Sequence, residues 1–282
     1  MSQSLGKTIQ IFLPDGNPRG VKIVEFTSRT VQVVFVPRAQ LELACQRKEL
    51  ESVGLYFLVG ESDSGDRSTL YIGEAEECGD RLKQQNKSKE WTTALACISK
   101  TAAFTKAHVK YLEWFCYEEA KTVDRYTLAQ SVPTKSHVSE SVIADLMDHF
   151  ETIKILVSTL GFPIFDKIQK PKTKDRLNCK GKKAHATGEY TEDGLVVFAG
   201  GLSNRADAPA SHGYLVAKRR QLLKDGVLEI VDDETLRFAK DYIFPSPSQA
   251  AAVVLGRNAN GWTEWKYPDG RTLDEVKRNV GN

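Results

Sequence analysis

The chain has 282 residues, 41% of them hydrophobic and 27% charged, and a formal net charge of +2. That is enough for two domains of globular composition, and no apolar run approaches the roughly 18 residues that span a bilayer. The five cysteines (Cys45, Cys78, Cys97, Cys116 and Cys179) form no Cys-x-x-Cys pair, so neither a zinc site nor a disulfide framework is expected. MSQSLGKTIQIFLPDG lacks the apolar stretch and small-residue cleavage site of a secretory signal, and the expected location is cytoplasmic.

Residues 8–36 alternate apolar and polar side chains. They predict three short strands, Ile9–Leu13, Val21–Phe26 and Val31–Val36, in an antiparallel module over residues 1–49. Leu55–Val59 reads as another strand, Ser62–Ser68 as a hairpin loop and Thr69–Ile72 as the return strand. In such a pair Tyr56 and Tyr71 come near one another. A helix is expected from about Glu76 to Gln85, carrying Arg81. A second runs over Thr105–Lys121, with Val109, Leu112, Cys116 and Ala120 at helical spacing and Glu113 beside that stripe. Ser139–Leu160 is the clearest helix, capped by Ser139 and stopped by Gly161 and Pro163.

Lys167–Lys183, KIQKPKTKDRLNCKGKK, holds seven lysines and one arginine against a single aspartate. It predicts an extended, self-repelling linker over residues 166–183. Lys170, Lys172, Lys174, Arg176, Lys180, Lys182 and Lys183 are candidate phosphate contacts, each neutralised phosphate releasing counterions. From residue 184 a separate α+β domain is expected. It contains a hairpin turning at Asp193-Gly194 and a helix ended by Asp225-Gly226. Ser246, Pro247 and Gln249 predict a capping box at the start of a helix that Gly256 ends. Asn260-Gly261 then turns into a strand with Trp262 and Trp265. Arg257 and Trp262 are candidates to grip a backbone or stack on a base. The alternative is that the tryptophans close a small core.

Phosphodiester hydrolysis needs a base for the attacking water, a cation on the scissile phosphate and help for the leaving oxygen. A phenol can shuttle a proton if a metal or arginine lowers its pKa from about 10. Arg81 offers the planar fork suited to phosphate. Glu113 supplies the kind of carboxylate that magnesium sites use. Gly54-Leu55-Tyr56, then Tyr71-Ile72-Gly73, then Arg81 ten residues past Tyr71, resemble the motifs of the GIY-YIG nuclease family. HVKYLEWF resembles that family's metal-binding helix.

The resemblance covers roughly residues 50–160. It implies a small three-stranded antiparallel sheet flanked by helices (residues 50–165), an Mg²⁺ or Mn²⁺ ion on Glu113, Tyr56 and Tyr71 at the phosphate with Tyr56 favoured as base, and Arg81 stabilising charge. Two supporting positions depart from the family: Gln85 stands where a histidine or tyrosine is common, and Gln130 where an asparagine is expected. SPSQAAAVVLGRNANGWTEWK resembles a domain of unknown function, DUF4357, which is similar to modules associated with restriction and adenine methylation. The expectation is an α+β, metal-dependent DNA endonuclease of restriction, phage defence or repair. The alternatives are a GIY-YIG protein that binds nucleic acid or a partner without cutting, and an enzyme that cleaves RNA.

Overall fold

The computed structural model describes residues 6–60, 67–167, 176–191, 194–206 and 213–278. The chain forms two compact units, Met1–Ile168 and Gln169–Asn282, each of mixed α+β structure around one open sheet.

The first unit begins with strands β1 (Ile9–Phe12), β2 (Lys22–Phe26) and β3 (Val31–Pro37), followed by the short helix α1 (Leu41–Ala44). Strands β4 (Gly54–Gly60) and β5 (Thr69–Ala75), helix α2 (Cys78–Ser88), strand β6 (Thr93–Ser99) and helix α3 (Lys106–Val123) come next. A two-residue strand β7 (Thr127–Leu128) and helix α4 (Glu140–Thr159) complete it. The loop expected at 62–68 lies mostly outside the described residues.

The strand order is β1-β2-β3-β6-β4-β5-β7. A self-contained three-stranded sheet is therefore not what forms. β6, β4 and β5 are adjacent, but β3 continues the sheet across the whole of β6, from Val31 opposite Ser99 to Pro37 opposite Thr93. The physical reason is β6 itself, TALACIS, which is almost wholly buried and so needs hydrogen-bonding partners on both edges.

Two cores cover the two faces. Leu55, Phe57, Val59, Leu70, Ile72, Leu95 and Cys97 pack with α3 and α4. Tyr56, Leu58, Ala75, Ala94, Ala96 and Ile98 pack with α1 and α2. Val109, Leu112, Cys116 and Ala120 are buried on α3 as their spacing predicts. Ser139 sits at the N-cap of α4 without a side-chain cap bond.

The second unit holds strands β8 (Leu177–Lys180), β9 (His185–Thr191), β10 (Gly194–Val197) and β11 (Leu202–Asn204), then helix α5 (Gly213–Lys224). Strands β12 (Leu228–Ile230), β13 (Thr235–Phe238) and β14 (Tyr242–Phe244) follow, then helices α6 (Pro247–Leu255), α7 (Gly261–Glu264) and α8 (Leu273–Lys277). The sheet runs β12-β13-β11-β9-β10-β14, with β8 also on β9. The expected hairpin is present, Thr191 opposite Gly194.

Three expectations are corrected. The end of the basic stretch is not linker: Leu177 and Cys179 alternate inward and are buried in β8, a period of two that the flanking lysines mask. Gln249 completes no capping box. Ser246 accepts from the Gln249 amide N–H at 3.2 Å, but the Gln249 side chain donates to the Tyr214 hydroxyl instead. The segment after Asn260 is a helical turn, because the Asn260 carboxamide caps the Trp262 N–H at 3.1 Å and Ser248 Oγ accepts from Gly261 N at 3.1 Å.

Trp265 is fully buried, its Nε1 donating to the Pro247 carbonyl at 3.2 Å. Trp265→Ala should cost about 3–5 kcal/mol, as for other buried aromatics cut to alanine. The urea midpoint of the second unit, followed by pulse proteolysis, measures this; an unchanged midpoint would remove Trp265 from the core.

Candidate active site

β4 is buried at every position, so its side chains alternate into two cores. The antiparallel register sets Gly73 opposite Tyr56 and Tyr71 opposite Leu58. Tyr56 and Tyr71 therefore share the α2 face, their ring centroids 6.1 Å apart and their planes at 28°, a stacked arrangement of the kind aromatic pairs favour. The Tyr56 ring lies across Gly73: a Cβ at residue 73 would overlap its Cζ and hydroxyl. Gly54 is equally constrained, since a Cβ there would meet Cys78 Sγ of α2 at 2.6 Å and the Cys97 carbonyl at 2.7 Å.

Helix α2 turns Cys78, Leu82 and Gln85 toward the sheet. Arg81, one turn before Gln85, shares that flank. Gln85 Nε2 donates to the Tyr56 hydroxyl at 3.2 Å, and the Arg81 guanidinium lies near the same phenol. Arg81 also donates to Gln84 Oε1 at 3.2 Å. Tyr56 is 0% exposed. Its burial, and then the neighbouring Tyr71 phenol, hold its pKa well above the ordinary value against the pull of Arg81. The leaning toward Tyr56 as base meets this difficulty: a phenol buried this deeply resists ionisation. Tyr71 is the half-exposed member of the pair.

Helix α3 supplies the other flank. Its start is fixed by a Thr105/His108 capping box, so His108 has a structural task. Lys106, Lys110 and Glu113 follow at intervals of four and three, on one side of the helix. Glu74, the residue after the second triplet, alternates to this face of β5. Burial, and then the charge of Glu74, push the pKa of half-buried Glu113 up to about 7, opposed by Lys110, Arg81 and Lys106. Lys106 Nζ pairs with Glu74 at 2.9 Å. Tyr56, Tyr71, Arg81 and Glu113 are thus brought together from β4, β5, α2 and α3.

Gln130 belongs to the same edge of the sheet. β7 pairs with β5 only at Thr69 and Leu70. Beyond them, Ile72 N donates to Gln130 Oε1 and Gln130 Nε2 donates to Ile72 O, each at 2.6 Å. The carboxamide stands in for one more residue of strand. Sequence reasoning passed over Glu74 and Lys89. The signal for Glu74 was its place directly after Gly73. Lys89, at the end of α2, puts its ammonium 3.8 Å from the centre of the Tyr71 ring.

Magnesium keeps several waters and is held through one or two carboxylates. Glu113 with Glu74 beside it fits such an ion, and a cation there would offset the burial and the repulsion that together raise the pKa of Glu113. Among the described residues no group of three His, Cys, Asp or Glu side chains converges to hold a metal, so a site built from three or four protein ligands does not fit.

In the second unit the candidate contacts are less uniform. Lys170, Lys172 and Lys174 lie outside the described residues. Lys180 and Lys182 are exposed at the turn from β8 to β9, and Lys183 pairs with Glu234 at 3.0 Å. Arg176 lies 5.9 Å from the Phe198 ring. Arg257 pairs with Glu264 at 2.7 Å. Burial pushes the Cys179 thiol up to about 12, with Glu264 and Arg257 the charges it feels, which puts Arg257 near β8. Trp262 packs edge-on to Tyr190 at 5.3 Å and has the Arg278 guanidinium 3.5 Å over its ring, so that face is already occupied.

Residues 177–277 match the family described as Domain of unknown function (DUF4357). That span takes in the chain from β8 to α8, so the basic end of the expected linker belongs to the DUF4357 domain. No curated protein and no solved structure matches the chain. Among the described residues no helix is long and apolar enough to cross a membrane.

Gly73→Ala should destabilise the first unit by about 1–3 kcal/mol through overpacking. In a Tyr56→Leu background, where the ring is gone, the penalty should fall to near zero. Additive costs in this double-mutant cycle, read from urea midpoints, would disprove the contact. Glu113 offers a test by pH. A carboxyl with a raised folded pKa stabilises the protein fully below its ordinary 4.5, and that contribution is lost as pH rises through about 7. In EDTA, Glu113→Gln should therefore lose less melting temperature than the parent between pH 5 and pH 8 (test conditions, roughly bracketing that window). Parallel losses would mean that Glu113 titrates as an ordinary surface carboxyl.

Proposed function

We propose that this protein is a metal-dependent endonuclease of the GIY-YIG type acting on DNA, with its catalytic groups in the first unit and DNA retention aided by the DUF4357 domain. The convergence of Tyr56, Tyr71, Arg81 and Glu113 at one edge of the sheet carries this reading. These residues come from four separate elements. Packing alone requires neither a half-buried glutamate beside a second carboxylate nor a guanidinium on a buried phenol.

In this reading water adds to phosphorus, the bond to the leaving oxygen breaks, and that oxygen takes up a proton. Arg81 binds the non-bridging oxygens and meets the charge that grows on them. The Tyr56 hydroxyl, held by Gln85, fixes the direction of Arg81 rather than ionising. Tyr71 is the phenol that meets solvent, and it holds or passes the proton of the attacking water. Glu113, with Glu74 beside it, holds the divalent ion. When bound, that ion places positive charge on the phosphate and acidifies coordinated water. A tethered DNA-binding domain would raise the local concentration of substrate at these groups.

A second reading, nucleic-acid binding without cutting, is favoured by Gln85. An amide faces Tyr56 where a proton acceptor would serve catalysis, and it cannot act as a base.

Cleavage of supercoiled plasmid, linear duplex, single-stranded DNA and RNA, each with Mg²⁺, Mn²⁺ or EDTA, decides between the two. The expected result is metal-dependent cutting of DNA. Arg81→Ala, Tyr71→Phe and Glu113→Ala should each reduce it about 10²–10³-fold without lowering the melting temperature. Salt-sensitive binding with no cutting on any substrate would establish the second reading. Cutting confined to RNA would replace the substrate.

A further inference from the structure

Several basic side chains described in the first unit have acidic partners. Arg29 pairs with Asp148, Arg38 with Glu90, Arg67 with Asp124, Lys83 with Asp80, Lys100 with Glu25 and Lys106 with Glu74. Arg81, Lys89 and Lys110 are among the described cations that form no such ion pair, and they are singled out by their place in the fold. All three border the candidate site. Lys89 leans on the Tyr71 ring from the end of α2. Lys110 stands one turn before Glu113 on α3, close enough to stabilise that carboxylate. Arg81, on α2 between them, lies within electrostatic range of Tyr56, Tyr71 and Glu74.

β5 separates Lys89 from Lys110. Tyr71 and Glu74 alternate to opposite faces of that strand, so each lysine serves a different face. Among the described residues, the strand has no strand neighbour on this side beyond Leu70, and the Gln130 carboxamide pairs with Ile72. One phosphate group cannot touch both lysines across the strand. A chain of phosphates passing over the open edge can.

We infer that Lys89 and Lys110 form a backbone-binding track for nucleic acid, with Arg81 at its centre, crossing the open edge of β5. This rests on the reading of the substrate as nucleic acid and deepens it. The two lysines hold the phosphates on either side of the one at Arg81. The track is part of the first unit and distinct from the basic residues of the DUF4357 domain. Lys89 is a binding residue here, and its contact with Tyr71 also sets the height of that ring.

The test is equilibrium binding of labelled duplex DNA, single-stranded DNA and RNA to the full chain. EDTA is present so that nothing is cut, and anisotropy is followed across a range of salt. Lys89→Gln, Lys110→Gln and the double variant are compared with the parent and with Lys121→Gln, two turns beyond Glu113 on α3. Each neutralised phosphate contributes about 0.9 to the slope of log K against log salt on duplex DNA and about 0.7 on single strands. The slope should therefore fall by about that amount for each single variant and by about twice that for the double. Lys121→Gln should leave it unchanged.

An unchanged slope in both single variants, while the parent binds, overturns the track. So does a parent that binds none of the three nucleic acids. Cleavage scored separately with Mg²⁺ distinguishes the two ideas. Reduced slopes without cutting keep the track and remove the nuclease reading; cutting with unchanged slopes keeps the nuclease reading and removes the track.

Discussion

The Tyr56 ring lies across the backbone of Gly73, and the α2 flank of the candidate site is built on that contact. Only a residue without a side chain lets the ring occupy this space. With the ring there, its hydroxyl reaches Gln85 and Arg81 on α2, and Tyr71 stacks beside it. Gly54 admits Cys78 of α2 in the same way, so the two glycines together bring the helix that carries Arg81 against the sheet. Steric exclusion at two positions does more here than any single hydrogen bond.

Electrostatics divides the site into two flanks. On the α2 side burial disfavours ionisation of a phenol while a nearby guanidinium opposes that shift. On the α3 side two carboxylates lie near each other, one of them paired with Lys106, and burial together with their repulsion holds a proton more tightly on Glu113. The guanidinium on one flank complements the single negative charge of a phosphodiester, and the carboxylates on the other complement a divalent cation. The division also separates the two tyrosines by role: Tyr56 fixes geometry and Tyr71 meets solvent.

The strand β6 explains why the N-terminal strands and the site cannot be considered apart. Its neighbours are β3 on one edge and β4 on the other. Register is therefore transmitted from Val31–Pro37 directly to the strand that holds Tyr56. The DUF4357 domain has its own sheet and its own core, centred on Trp265 and the apolar face of α6.

Local patterns determined much by themselves. The alternation in residues 8–36, the period-3.6 stripes of α3 and α4, and the Ser246-Pro247 start of α6 all name elements that form, because each is decided by side chains within a few positions of one another. The spacing of Tyr56, Tyr71 and Arg81 was likewise legible, being a matter of one hairpin and the helix after it. Residues distant in the chain were not. Glu74 reaches Glu113 only because α3 packs over β5, and Gln130 finds Ile72 only because the chain returns parallel to β5 fifty-eight residues later. The burial of Tyr56, which leaves Tyr71 as the phenol that meets solvent, depends on α2 closing over the sheet. The inward turn of Leu177 and Cys179 depends on β9 and was hidden by the lysines around them. Tertiary structure decided these points, because burial and charge proximity are properties of neighbours in space, and the sequence orders neighbours only along the chain.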